Sequence, residues 1–220
     1  MLYLLPVIAI SLALIDWLAV IKNWKRVEAF AKPGVILFLL AWAWAAAASP
    51  GRISFFLFGL AFSLLGDILL LPTIDRFIPG LLSFLLAHLA YLAGFNPNFP
   101  QLSLSAILII AAGLLLSGVI FSRIAMQVRS KHPRLLIPVL VYAIALSGMA
   151  ISALLTQVRV EWRTSAALLC SSGALLFYLS DTLLAWNRFV SPIRQGRATW
   201  MVAYHLGQFL LIAGVLLQYS

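Results

Sequence analysis

The sequence predicts an all-α protein, a polytopic transmembrane bundle of eight helices with both termini on the non-cytoplasmic side. Three observations carry this. Of 220 residues, 64% are hydrophobic and 10% charged, with a mean hydropathy of +1.06. A soluble domain is about half apolar and about a quarter charged. The apolar residues form continuous runs near the ~20 residues that cross a bilayer, without the alternation of a membrane β-barrel. The basic residues are also divided unevenly between alternate connections, the pattern that sets orientation.

The predicted spans are 2–21, 33–48, 53–71, 78–95, 102–120, 134–157, 163–186 and 198–218. Turn chemistry separates them at Lys32-Pro33, Ser49-Pro50-Gly51, Leu71-Pro72, Pro79-Gly80, Asn96-Pro97 and His132-Pro133. The opening run, MLYLLPVIAI, has no basic region and no small-residue cleavage site, so it reads as a retained helix. The connections are too short for a soluble module, and residues 1–220 are expected to form a single membrane domain.

The net charge of +9 would favour nucleic acid in a soluble protein. Here topology explains it, and no nucleic-acid partner is expected. The first, third, fifth and seventh connections carry Lys22, Lys25, Arg26, Lys32, Arg76, Arg123, Arg129, Lys131, Arg134, Arg188, Arg194 and Arg197. The second, fourth and sixth carry Arg52, Arg159 and Arg163. Twelve against three predicts that odd-numbered connections are cytoplasmic. Compact loops fit a bacterial inner membrane. The single cysteine, Cys170, allows no intrachain disulfide and no multi-cysteine metal site.

Within these spans, Ile53–Leu71 (ISFFLFGLAFSLLGDILLL) carries an acid, Asp67, near one end. Ala167–Ala185 (ALLCSSGALLFYLSDTLLA) repeats the pattern: Gly59 and Asp67 match Gly173 and Asp181 at the same spacing, and Leu69-Leu70 match Leu183-Leu184. A carboxylate in hydrocarbon costs at least a few kcal/mol and is a functional-site candidate by default. Both helices run toward the cytoplasm, so at ~1.5 Å per residue the two acids lie at one depth, roughly 6–8 Å inside the boundary. Asp16 falls at the same level. Tyr142, Tyr204 and His205 sit one to two turns deep, and His88, Tyr91 and Gln208 nearer the mid-plane. These groups predict a polar pocket open to the cytoplasmic side.

Burial penalises the charged form of a carboxylate, and a second acid nearby penalises it further. Such a pair holds one proton between them, which provides a general acid and a general base together. A hydrogen-bonded acid that fixes helix packing is the plain alternative. His88, with Tyr91 at i+3 on the same face, either relays a proton or is a core histidine bonded to a tyrosine. Tyr204 and Gln208 share a face at i, i+4 and suit a polar headgroup or a water. His205 points about 100° away from Tyr204. Lys32, Arg76, Arg194 and Arg197 form a basic rim able to hold a phosphate, or else simple topological anchors. No metal is assigned, since HExxH is absent. Ser63 and Ser180 lack a GxSxG setting, so no serine nucleophile is assigned.

Several runs then resemble a known family. They are Gly66-Asp67, GLLSFLLAHLAY from Gly80 to Tyr91, PVLVY from Pro138 to Tyr142, GALLFYLSDTLLA from Gly173 to Ala185, and YHLGQ from Tyr204 to Gln208. With Lys32-Pro33, they resemble the YhhN-like lysoplasmalogenase family. The likeness runs from Lys32 onward and rests on the order of the motifs. It implies hydrolysis of the vinyl-ether bond of a lysoplasmalogen to a fatty aldehyde and glycerophosphoethanolamine or glycerophosphocholine. The substrate is then a lysophospholipid drawn from the membrane, and no cofactor is needed. Asp67 and Asp181 become the catalytic candidates. Lys32, His88, Tyr91, Tyr142, Tyr204 and Gln208 become the supporting set. At His205 the sequence departs from the second aromatic expected there.

Two other functions use paired membrane acids. An intramembrane aspartyl protease also needs two, but Asp67 follows Leu-Leu-Gly and no tyrosine directly precedes Asp181. A proton-coupled transporter would use the pseudo-repeat as parallel moving halves. A pocket reached from one side favours an enzyme, whereas a path reaching both sides favours transport.

Overall fold

A computed structural model describes residues 3–98 and 102–219. Among them are eight long helices: α1 (Leu4–Lys22), α2 (Lys25–Ala46), α3 (Ser54–Leu69), α4 (Phe77–Phe95), α5 (Leu104–Lys131), α6 (Leu136–Leu155), α7 (Thr164–Phe189) and α8 (Gly196–Tyr219). Short 3-10 turns at Pro50–Ile53, Pro133–Leu135 and Thr156–Val158 extend α3 and α6. All eight segments are long and apolar enough to cross a membrane.

Two boundaries depart from the sequence reading. The second helix starts at Lys25, not Pro33, and runs straight through the proline. Proline removes the bond its own N–H would have made to the carbonyl four residues back and crowds that carbonyl with its ring. Membrane helices tolerate that loss because side chains and neighbouring helices satisfy the freed carbonyl. Lys32-Pro33 is therefore not a break, and Lys25, Arg26 and Lys32 are helical rather than in the first connection. That connection is only Asn23 and Trp24. Asn23 takes the left-handed conformation at φ 56°, and its N–H caps α1. The fifth helix continues past 120 to Lys131 and carries its basic residues on its last turns. At its start, Ser103 Oγ accepts the Ala106 N–H at 3.2 Å. The predicted start of the first span, residue 2, lies outside the described residues.

The helices close into a ring. Neighbours pack in the order α1–α2–α3–α4–α6–α7–α8, and α8 returns to α1 and α2. α5 stands outside the ring against α6 and α7, with Leu114, Leu115 and Leu116 exposed. Such an apolar face is stable only against lipid or another protein.

The α7–α8 contact is the most extensive and uses small residues to bring two backbones together. A Cβ on Gly173 would lie 2.5 Å from the Leu211 nitrogen, and one on Gly207 2.8 Å from the Gly173 oxygen. In lipid, such close approach replaces the missing hydrophobic drive between helices. On the other half of the pseudo-repeat, a Cβ on Gly59 would sit 2.1 Å from the Tyr91 ring. Each glycine eight residues before an acid thus admits the following helix, which presents the acids across one interior.

Candidate active site

That interior holds a cavity of ≈ 150 Å³. Its polar lining includes Glu28 and Lys32 of α2, Asp67 of α3, Tyr142 of α6, Ser180 and Asp181 of α7, and Arg197 and Tyr204 of α8. Phe84, Leu146 and Leu184 supply apolar wall. These residues come from the ends of helices nearest the odd-numbered connections, so the cavity occupies one half of the bundle.

Asp67 is fully enclosed, with its side chain 1% exposed, and is held from two sides. Lys32 Nζ lies 3.2 Å from its Oδ1. The Tyr204 hydroxyl donates to its Oδ2 at 2.8 Å. One turn along α8, Gln208 Nε2 donates to Ser63 Oγ at 2.9 Å and its Oε1 accepts the Tyr91 hydroxyl at 2.8 Å. Tyr91 and Gln208 therefore brace the layer behind Asp67 instead of facing the cavity. Asp67 thus has a cation on one oxygen and a phenol on the other.

Asp181 has a different setting. Its side chain is 13% exposed, and only Oδ2 is taken up by neighbours. The Tyr142 hydroxyl donates to Oδ2 in a short hydrogen bond, and His88 Nε2 stands 3.0 Å away. The same nitrogen is 3.0 Å from the Tyr142 oxygen. His88 thus places Nε2 between the Tyr142 and Asp181 oxygens. Its Nδ1 is buried with no partner among the described residues. Asp181 Oδ1 has no hydrogen-bond partner among the described residues, and Asp181 lines the cavity.

The two acids thus share one cavity although their distances from the helix ends differ from expectation. α3 ends two residues after Asp67 and α7 eight residues after Asp181. The predicted rim also splits. Lys32 is buried against Asp67, whereas Arg76 and Arg194 are exposed and outside the cavity lining. Arg197 Nη2 donates to Glu28 Oε1 at the mouth. Sequence reasoning missed Glu28, because treating Pro33 as a helix start hid the i, i+4 pair Glu28 and Lys32.

Two further groups lie behind the cavity. Asp16 is buried, and neither of its oxygens has a partner among the described residues. His205 accepts the Trp17 Nε1–H at 3.1 Å, facing α1 while Tyr204 faces Asp67. Among the described residues, no three side chains of His, Cys, Asp and Glu converge to hold a metal ion.

A ring of membrane-length helices, with an acid from each half of a pseudo-repeat on one interior cavity, defines a polytopic membrane protein. The chain belongs to the YhhN family, which matches residues 27–215. It is 31% identical to human lysoplasmalogenase TMEM86B over 82% of this chain and 72% of that protein. Mouse lysoplasmalogenase TMEM86B is 32% identical over 96% of this chain and 84% of its own length. Human lysoplasmalogenase TMEM86A is 33% identical over 70% and 61%. No solved structure matches the chain.

Proposed function

We propose that this chain hydrolyses the vinyl-ether bond of a lysoplasmalogen, releasing a fatty aldehyde and a glycerophospho-base, with Asp67 and Asp181 as the working acids. The observation that carries this reading is the unequal dressing of two acids on one cavity. Asp181 offers a free oxygen, and Asp67 is clamped by Lys32 and Tyr204.

In this scheme protonated Asp181 gives its Oδ1 proton to the vinyl carbon remote from the ether oxygen. The double bond becomes an oxocarbenium ion, and ionised Asp67 offsets its charge. The Tyr142 and His88 donors on Oδ2 stabilise the carboxylate left behind. Water then adds to the carbon bonded to oxygen, and Asp181 takes the proton that the water loses. In the hemiacetal, Asp181 protonates the glycerol oxygen as its carbon–oxygen bond breaks. The hemiacetal hydroxyl gives up its proton, which restores Asp181, and the carbonyl of the aldehyde forms. The alternation of acid and base on one carboxyl, beside a second that remains charged, follows the logic of two-carboxylate glycoside hydrolysis.

A lysolipid places its chain in the leaflet and its headgroup at the surface, so the bond to be cut lies slightly below the interface. The confinement of the cavity to one half of the bundle favours an enzyme over a transport path. The orientation completing this reading puts odd-numbered connections in the cytoplasm and both termini outside, in a bacterial inner membrane. The chain then works as one membrane domain on membrane-borne lysophospholipid.

The test is aldehyde release by purified protein from lysoplasmalogen in detergent, with Asp181→Asn and Asp67→Asn proteins as controls. Each substitution is expected to lower turnover at least 100-fold, the usual range for a positioned acid or base. Full turnover by either variant would remove its acid from the mechanism. No release from vinyl ethers by the unaltered protein would overturn the substrate assignment.

A further inference from the structure

The mouth of the cavity holds an ion pair that the chemistry above does not use. Glu28 and Arg197 both line the cavity. The Glu28 side chain is 1% exposed and that of Arg197 35%. Arg197 engages Glu28 Oε1 through Nη2 alone, and Glu28 Oε2 has no hydrogen-bond partner among the described residues. A buried carboxylate oxygen with no donor is costly and calls for one. Here the neighbouring cation is about one-third exposed, at the end of a long side chain, and bonds only the other oxygen.

Glu28 lies four residues before Lys32 on α2, on the same face and about 6 Å nearer the helix end. Lys32 marks the level of Asp67. The Glu28–Arg197 level is therefore one helical turn toward the surface from the reacting level. In a lysophospholipid the headgroup stands off from the ether oxygen by the three-carbon glycerol, a comparable length.

We propose that Glu28 and Arg197 form the headgroup subsite and select a phosphoethanolamine zwitterion, the phosphate on the Arg197 guanidinium and the primary ammonium on the Glu28 carboxylate. This deepens, and rests on, the lysoplasmalogen reading of the cavity. In the empty site the guanidinium stands where the ammonium would go. On binding, the internal pair exchanges for two pairs with the ligand, with no change in net charge. The Arg197 N–H groups other than the one on Glu28 suit a phosphate bidentately. An ethanolamine ammonium supplies three N–H donors to Glu28, whereas a choline trimethylammonium supplies none and leaves the desolvated carboxylate without a hydrogen bond.

The experiment measures binding of saturated 1-O-alkyl lysophospholipids to the full chain in detergent micelles. Their ether cannot be cut by vinyl-ether hydrolysis, so the outcome does not depend on turnover. The ligands are the ethanolamine, N-methyl, N,N-dimethyl and choline forms. Affinity is expected to fall in steps along that series, by about tenfold or more overall, the worth of a lost charge-assisted hydrogen bond. Glu28→Gln should flatten the series, and Arg197→Gln should weaken all four forms alike. Equal affinity for the four ligands would overturn the subsite. So would a choline preference, which would put the cation on the Trp200 and Phe77 rings instead. A slope that survives Glu28→Gln would remove Glu28 from it. Should Glu28→Gln fail to fold, the ligand series on the unaltered protein decides alone. An intact slope without aldehyde release from vinyl ethers would sink the hydrolase reading and leave this subsite standing.

Discussion

The Lys32–Asp67 pair allows fold and chemistry to be separated in one set of proteins. Lys32 Nζ and Asp67 Oδ1 are 3.2 Å apart, with side chains 9% and 1% exposed. Removing one partner of such a buried pair leaves an uncompensated charge, which costs about 3–5 kcal/mol. Lys32→Met therefore should lose about that much stability, with Tyr204 as the remaining donor to Asp67. Adding Asp67→Asn removes the stranded charge and keeps an oxygen for the Tyr204 hydroxyl. The double variant should return to within about 1 kcal/mol of the original protein, so the two substitutions are strongly non-additive. The assay is reversible unfolding in mixed micelles, followed by helical signal, beside aldehyde release on the same preparations. The double variant is expected to be folded and inactive. A double variant as unstable as Lys32→Met would refute the ion pair. A stable double variant with full turnover would refute the role given to Asp67.

Three further outcomes follow from single contacts. Tyr142→Phe removes one of the donors on Asp181 Oδ2; a hydrogen bond to a charged group is worth about 1.5–3 kcal/mol, so kcat should fall about 10- to 100-fold with KM little changed. Gly173→Val puts a branched side chain where a Cβ alone meets backbone at 2.5 Å; helix-packing stability in mixed micelles should drop by at least the 1–3 kcal/mol typical of overpacking. Asp16→Leu removes a buried acid whose oxygens have no partner among the described residues. The substitution should raise stability by about 1–3 kcal/mol in the same unfolding assay, whereas a loss would reveal a partner for Asp16.

The helical architecture was legible because hydrocarbon leaves the backbone few choices. A continuous apolar run near 20 residues has to satisfy its own N–H and C=O groups as a helix. The order of helices around the ring was not legible. It depends on which small residues let which backbones touch, and Gly173 and Gly207 look in the sequence like many other glycines. The two acids were legible for the reason the helices were. Asp67 and Asp181 stand out against an apolar background, and the shared spacing from Gly59 and Gly173 tied them together. Their partners were visible only as residue types at a depth. Nothing in the sequence says that Tyr142 serves Asp181 while Tyr204 serves Asp67, because those pairings cross helices far apart in the chain.

Proline shows how one local inference propagates. Read as a breaker, Pro33 ends a loop, which makes Lys32 a rim cation and Glu28 a loop residue. Read as one missing hydrogen bond in a membrane helix, it leaves α2 continuous and puts Glu28, Lys32 and the α1-facing residues on one rod. The assignment of charge to topology changes with it: Lys32 is held by Asp67 inside the bundle and has no anchoring role at the surface. A basic residue next to a proline and near an intramembrane acid therefore has two physical readings, and the deciding quantity is the charge left unpaired inside. With Asp67 buried, a loop at Lys32 would strand a carboxylate at a cost of about 3–5 kcal/mol. The bond lost at Pro33 is one that neighbouring groups in a membrane bundle satisfy, so the continuous helix accords with the acid as well as with the apolar run around it.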